Sequence, residues 1–170
     1  HALDVGARDG IFSALLAERF GHVVALDLDL PSIDAPGVEC EKGDVTDLPF
    51  DDDAFDFVLC SEVLEHVPPA RLERACRELA RVTRHQLVVG VPFRQDTRIG
   101  RTVCGECQST NPPWGHVNEF DERRLFDLFP TLEVEDRTFA GVNRARTNFV
   151  STWLLDFAGN PYGTYSQQEP

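Results

Sequence analysis

Apolar and polar positions along this chain switch between two periods. Short apolar runs at Ala2–Val5, His22–Leu26, Val38–Glu41, Phe55–Cys60 and Gln86–Val91 read as strands. Between them, Ile11–Phe20 and Pro69–Val82 carry helical spacing. In the second of these, Leu72, Ala75, Cys76, Leu79 and Val82 form one stripe, opposite a solvated face of Arg71, Glu73, Arg74, Arg77, Glu78 and Arg81. A Pro-bounded connection runs through Pro36, and an acidic loop spans Asp44–Asp53. This alternation predicts an α/β fold, a Rossmann-like three-layer sandwich with helices on both faces of a mostly parallel sheet.

After Val91 the pattern breaks. Pro92–Asn118 has no apolar periodicity and reads as a long inserted loop, of the kind that is usually functional or mobile. A helix is expected over Asp121–Phe129, with Asp121 as its N-cap, and a strand over Leu132–Thr138. This C-terminal region is expected to supply an antiparallel edge strand. Phe149–Phe157 is apolar and fits either a strand or a helix.

At 170 residues the length suits one domain spanning 1–170, with 42% hydrophobic and 26% charged residues, as in ordinary globular chains. The chain opens at His1, already close to a strand, so an N-terminal segment that lids the fold is expected to be missing. No apolar run approaches the roughly 18 residues that span a bilayer, and no membrane association is expected. The net charge of −13 makes nucleic acid an unfavourable partner, although Arg94, Arg98 and Arg101 share one loop. Five cysteines, three of them (Cys40, Cys60, Cys76) in apolar or helical settings, point to a reducing cytoplasmic location.

The densest chemical signal is Asp4-Val5-Gly6-Ala7-Arg8-Asp9-Gly10. A strand, a turn with two glycines and a helix bring backbone N–H groups to a helix N-terminus, where a polar ligand can approach. The second strand ends in Asp27, whose carboxylate can accept from both hydroxyls of a ribose. The third ends in Gly43-Asp44-Val45, where a second acid can accept from an adenine amino group. A fourth runs from Phe55 through Cys60 and Ser61 into Glu62-Val63-Leu64-Glu65-His66. Each acid alone reads equally well as a surface or capping residue. Placed at successive strand ends, they point to an adenosine-containing cofactor.

With these motifs the chain resembles the class I S-adenosylmethionine-dependent methyltransferases of the type 11-like group. The resemblance is dense over residues 2–92 and rests on Leu3-Asp4-Val5-Gly6 with Gly10, Val24–Asp27, Gly43-Asp44-Val45 with Leu48-Pro49-Phe50, and Phe55 through His66. It implies methyl transfer from S-adenosylmethionine to a small-molecule acceptor. Gly6 and Gly10 would admit the methionine moiety, with Asp4 anchoring its amino group. Asp27 would hold the ribose beside Leu28, Asp44 and Val45 would read the adenine, and Cys60 and Ser61 would border the sulfonium. The sequence departs from the family at Arg8, which replaces the middle glycine, and at Asp9.

Two further groups carry metal-type chemistry. Glu62-x-x-Glu65-His66, with His116 downstream, could hold Mg²⁺ or Mn²⁺, as RNA 2′-O-methyltransferases with a similar pattern do. Glu65 and His66 are more simply read as structural or substrate-lining residues, and His66 is the candidate general base by residue type. Cys104-Gly105-Glu106-Cys107 has the spacing of half a zinc site, with His116 a third candidate ligand, or it is a pair of free thiols. Trp114 fits either a pocket wall or a cap on the sheet edge. Two alternatives to the enzyme reading stay open. One is a nicotinamide-dependent oxidoreductase, disfavoured because Arg8 and Ile11 break G-x-G-x-x-G; the other is a non-catalytic cofactor- or partner-binding module on the same fold.

Overall fold

Five strands form one sheet in the order β3-β2-β1-β4-β5: β1 (Ala2–Val5), β2 (Val23–Asp27), β3 (Val38–Lys42), β4 (Phe55–Ser61) and β5 (Thr83–Gly90). All four of their pairings are parallel. The structure is a computed structural model that describes residues 1–98, 101–141 and 149–157. The central strand β1 is buried along its whole length and the edge strand β3 is not, as a parallel sheet covered on both faces requires. Right-handed crossovers place α1 (Ile11–Phe20) and α2 (Leu72–Val82) on opposite faces, because the chain steps from β1 toward β2 in one direction and from β4 toward β5 in the other.

The helices bury the residues that their spacing predicts, with informative exceptions. Helix α2 buries Leu72, Ala75, Cys76, Leu79 and Val82. It begins later than Pro69, after a single 3₁₀ turn over Pro69–Arg71, and Pro69 holds the preceding Pro68 extended, at ψ 133°, so that no helix starts earlier. Its polar face is less solvated than the pattern suggests. The Glu78 carboxylate accepts the Leu48 N–H at 2.9 Å, while Arg81 donates to the Phe50 and Leu48 carbonyls at 2.6 and 3.0 Å. Together they clamp the acidic loop, which the sequence left free. Helix α1 is tied to β1 by the Ser13 hydroxyl, which donates to buried Asp4 at 2.6 Å, yet Ile11, Phe12 and Leu15 face outward.

The segment after β5 departs most from expectation. Within the inserted loop a small antiparallel hairpin joins β6 (Thr102–Val103) to β7 (Thr110–Asn111). Helix α3 (Glu122–Asp127) is capped as predicted, Asp121 accepting the Arg124 N–H at 2.8 Å. The strand expected over Leu132–Thr138 has no ladder partner, and among the described residues the sheet gains no antiparallel edge strand. Leu132-Glu133-Val134-Glu135 alternates like a strand, but Leu132 and Val134 are 38% and 55% exposed and face no apolar layer. The ambiguous tail is a helix, α4 (Phe149–Phe157). Among the described residues no helix is long and apolar enough to cross a membrane.

Candidate functional site

The strand order reverses direction at β1, and the cleft expected at such a switch point lies at the carboxyl ends of the strands. It encloses about 300 Å³ and is lined by Gly6, Asp27, Leu28, Asp44, Val45 and His66 among others. The turn after β1 is built for close approach. Gly6 has φ +79°, and a Cβ there would sit 2.3 Å from the Val63 side chain; Gly10, at φ +76°, begins α1 against Ile33. Arg8 also adopts positive φ, and its N–H donates to Asp27 at 3.0 Å. The residue that departs from the family motif thus orients the acid with its backbone.

The two cleft acids are held but not saturated. One oxygen of Asp27 accepts from Arg8 N–H and the other from Leu28 N–H at 2.7 Å, which leaves a lone pair on each. Asp44 accepts from the Thr46 N–H and hydroxyl, both at 2.9 Å, and pairs with Arg71 at 2.9 Å. Burial alone would raise the Asp44 pKa, but the Thr46 hydrogen bonds and Arg71 outweigh it and hold the carboxyl below its usual range. The spacing Asp44-x-Thr46 is itself an Asx-turn signal; Arg71, remote in sequence, gave none.

Four of the expected site residues stand away from the cleft walls. Asp4 is buried against Ser13, and burial raises its pKa. Gly10 contacts Ile33, Cys60 lies in the core, and Ser61 lies beside Gly90.

A second cluster adjoins the cleft. One ligand atom each from Glu65, His66 and His116 lies within 4.8 Å of the others. Glu65 is 0% exposed, and among the described residues neither carboxylate oxygen has a well-formed hydrogen bond; its own backbone N–H and the Glu62 carboxyl reach it only in poorer geometry. Burial, with the Glu62 carboxylate beside it, pushes Glu65 up to about 7. Burial lowers the pKa of His66 against a hydrogen bond to the Gly115 backbone, and burial beside His66 lowers that of His116. Both rings are therefore neutral at pH 7, and they meet edge to face at 4.6 Å between centroids.

The loop carrying His116 is stapled in place. The Glu65 carbonyl accepts from Val117 and Asn118 N–H at 2.8 and 3.2 Å, while the Asn118 side chain donates to the Leu64 and Val67 carbonyls at 2.9 and 2.6 Å. Gln95 Oε1 lies 2.5 Å from His116 Nδ1. Neither Asn118 nor Gln95 carried a sequence signal, because each acts across a long chain separation.

Of the two clusters for which His116 was a candidate, it joins Glu65 and His66 rather than Cys104 and Cys107. Those two thiols lie on the β6–β7 hairpin, where hydrogen bonds from Ser109 and Cys104 lower Cys107 to about 7. Among the described residues no third His, Cys, Asp or Glu joins them as a ligand.

Known proteins share this architecture. The family described as a methyltransferase domain matches residues 3–88. A demethylmenaquinone methyltransferase from Clavibacter sepedonicus is 39% identical over 135 residues, covering 75% of this chain and 46% of that protein. A ubiquinone biosynthesis O-methyltransferase from Psychrobacter arcticus is 36% identical over 90 residues, covering 45% of this chain and 35% of that protein. The chain therefore spans less than half the length of either relative. Among solved structures, the 1,6-didemethyltoxoflavin-N1-methyltransferase of Burkholderia thailandensis, with 1,6-didemethyltoxoflavin and S-adenosylhomocysteine bound, shares the fold. Its TM-score is 0.59 at 22% identity, over 76% of this chain and 57% of that one.

Proposed function

Because the chain belongs to the methyltransferase-domain family, we propose that it binds S-adenosylmethionine in the cleft and directs its methyl group to a small-molecule acceptor. The observation that carries this reading is Asp27, a carboxylate fixed by two backbone N–H groups with a lone pair left on each oxygen, at the wall of the switch-point cleft. Of the residues expected to hold the cofactor, Gly6, Asp27, Leu28, Asp44 and Val45 line the cleft and suit it. Asp27 would hold the ribose hydroxyls beside Leu28, Asp44 and Val45 would face the adenine, and Gly6 would leave room for the remainder. When bound, S-adenosylmethionine supplies a methyl carbon already activated by a positively charged sulfur. What remains for the protein is positioning, which contributes most when the nucleophile is held in line.

His66 presents a neutral imidazole lone pair at the cleft, available to an acceptor's proton or to a cation. The quinone-type relatives support a small acceptor, and the net charge of −13 works against a nucleic acid. Five free cysteines suit a reducing cytoplasm.

Titration calorimetry with S-adenosylmethionine and its demethylated product tests the assignment. We expect binding by the wild-type chain, weakened by about 1–3 kcal/mol in Asp27→Ala, where two hydroxyls lose a charged acceptor. Equal affinity in the variant would remove the ribose assignment, and binding of a nicotinamide cofactor instead would favour an oxidoreductase.

A further inference from the structure

We propose that Glu65, His66 and His116, with Glu62 beside them, form a binding site for a divalent first-row metal ion at the edge of the cleft. The inference goes beyond the methyl-transfer reading and does not need it, since cation binding can be measured without cofactor.

Three observations converge. A fully buried carboxylate without a well-formed hydrogen bond on either oxygen is costly, because its lost hydration is poorly replaced. Its acidic neighbour Glu62, held at φ +57°, adds a second negative charge and can at most share a proton with it, whereas a divalent cation would satisfy both. The two imidazoles approach the same point, with the ligand atoms of all three residues within 4.8 Å of one another. Each ring has one nitrogen engaged outside the cluster, His66 with the Gly115 backbone and His116 Nδ1 with Gln95. Such outer contacts fix the tautomer and leave the other nitrogen as a lone-pair donor, as metal-binding histidines require.

The frame is rigid as well. Asn118 and the Glu65 carbonyl lock the two segments that supply the ligands, so a cation would meet a preformed site. One carboxylate and two imidazoles suit Mn²⁺, Fe²⁺ or Zn²⁺ better than Ca²⁺, which prefers oxygen alone. Because His66 and Glu62 also line the cleft, the ion would share a wall with the methyl acceptor. A hydroxyl acceptor is the chemistry that such a neighbour serves, since a bound cation lowers the pKa of an oxygen nucleophile.

The rival account of Glu65 is a neutral acid sharing its proton with Glu62. Mn²⁺ separates the two, and it is preferred to Zn²⁺ here because the Cys104 and Cys107 thiols would compete for a softer ion. The chelator-treated full chain is titrated with Mn²⁺ while the electron paramagnetic resonance signal of free ion and the melting temperature are followed. We expect one equivalent bound and a rise in melting temperature. Binding should weaken at least about tenfold in Glu65→Gln and His116→Ala, and about tenfold in Gln95→Ala, while a Cys104→Ser/Cys107→Ser double variant binds as wild type. Should Glu65→Gln fail to fold, His116→Ala and His66→Ala carry the same test. An undiminished free-ion signal and an unmoved melting temperature at about 1 mM Mn²⁺ would overturn the proposal. So would wild-type affinity in Glu65→Gln or His116→Ala.

Discussion

The acids at the ends of β2 and β3 and the acid after β4 lie around one cleft, yet the fold treats them in opposite ways. Asp27 and Asp44 receive N–H, hydroxyl and guanidinium donors from their own neighbourhoods and remain partly open to solvent. Glu65 is sealed, without a well-formed hydrogen bond and flanked by a second carboxylate. The cleft acids keep lone pairs open, which under the proposed function would receive neutral hydroxyl and amino groups. The Glu65 corner is arranged for something positively charged. One strand edge therefore offers two kinds of recognition.

The contrast can be broken hardest at Gly6, where the turn under the cofactor cleft touches Val63 of the corner segment. Gly6→Ala meets both a positive φ and a Cβ 2.3 Å from Val63, and should cost about 2–4 kcal/mol in urea unfolding and abolish cofactor binding. Adding Val63→Ala should relieve the collision and leave the conformational part, about 1 kcal/mol. If the double variant is no more stable than Gly6→Ala, the two regions do not meet through this contact.

Asn118 sharpens the corner alone. The residue is 2% exposed and its amide satisfies two carbonyls, so Asn118→Ala should lower stability by about 2–3 kcal/mol in denaturant melts. Its effect on S-adenosylmethionine affinity should be much smaller than that of Asp27→Ala, since among the cleft residues only the Val67 carbonyl loses a partner, while Asp27 and Asp44 keep theirs. An equal loss of cofactor affinity would show that cleft and corner are one mechanical unit.

The smallest expected effect is a pH limb on the cofactor side. Hydrogen bonding to Arg81, against burial, holds the Glu78 carboxyl below its usual value, and Glu78 also fixes the loop that carries Asp44. A carboxyl with a depressed folded-state pKa contributes stability that is present above its unfolded pKa and lost as pH falls through the folded value. Urea midpoints taken from about pH 7 to about pH 3 should therefore fall, and the fall should be shallower in Glu78→Gln by about 1 kcal/mol. An unchanged acid limb in the variant would remove Glu78 from the clamp.

Much of the sheet was legible because its signals are local. Apolar runs gave β1 to β4 to within a residue of their ends, whereas β5 begins at Thr83 rather than Gln86, and the stripe from Leu72 to Val82 gave the buried face of α2. Asp27 and Asp44 were legible for the same reason, since a strand end followed by an acid is a short pattern. The reading weakened wherever a partner lay far along the chain. Glu78 and Arg81 looked like solvated charges because the loop they clamp is some thirty residues away. Leu132–Thr138 alternated correctly, but alternation cannot supply the neighbouring strand. The Glu65 corner combines both limits. Its Glu-x-x-Glu-His pattern was visible, whereas the burial that makes Glu65 unusual, and the Asn118 and Gln95 contacts that frame it, exist only after folding.

The Asn118 staple also has a consequence for the order in which this chain assembles. Its side-chain amide joins residues 54 and 51 positions apart, whereas β1 and β2 pair across a single short helix. Drawing together distant stretches costs loop entropy before any contact rewards it. The β1–β2 edge that ends in Asp27 is therefore expected to form ahead of the corner, whereas the β1–β4 pairing closes a separation of 55 residues, as wide as the staple's, and has no such head start.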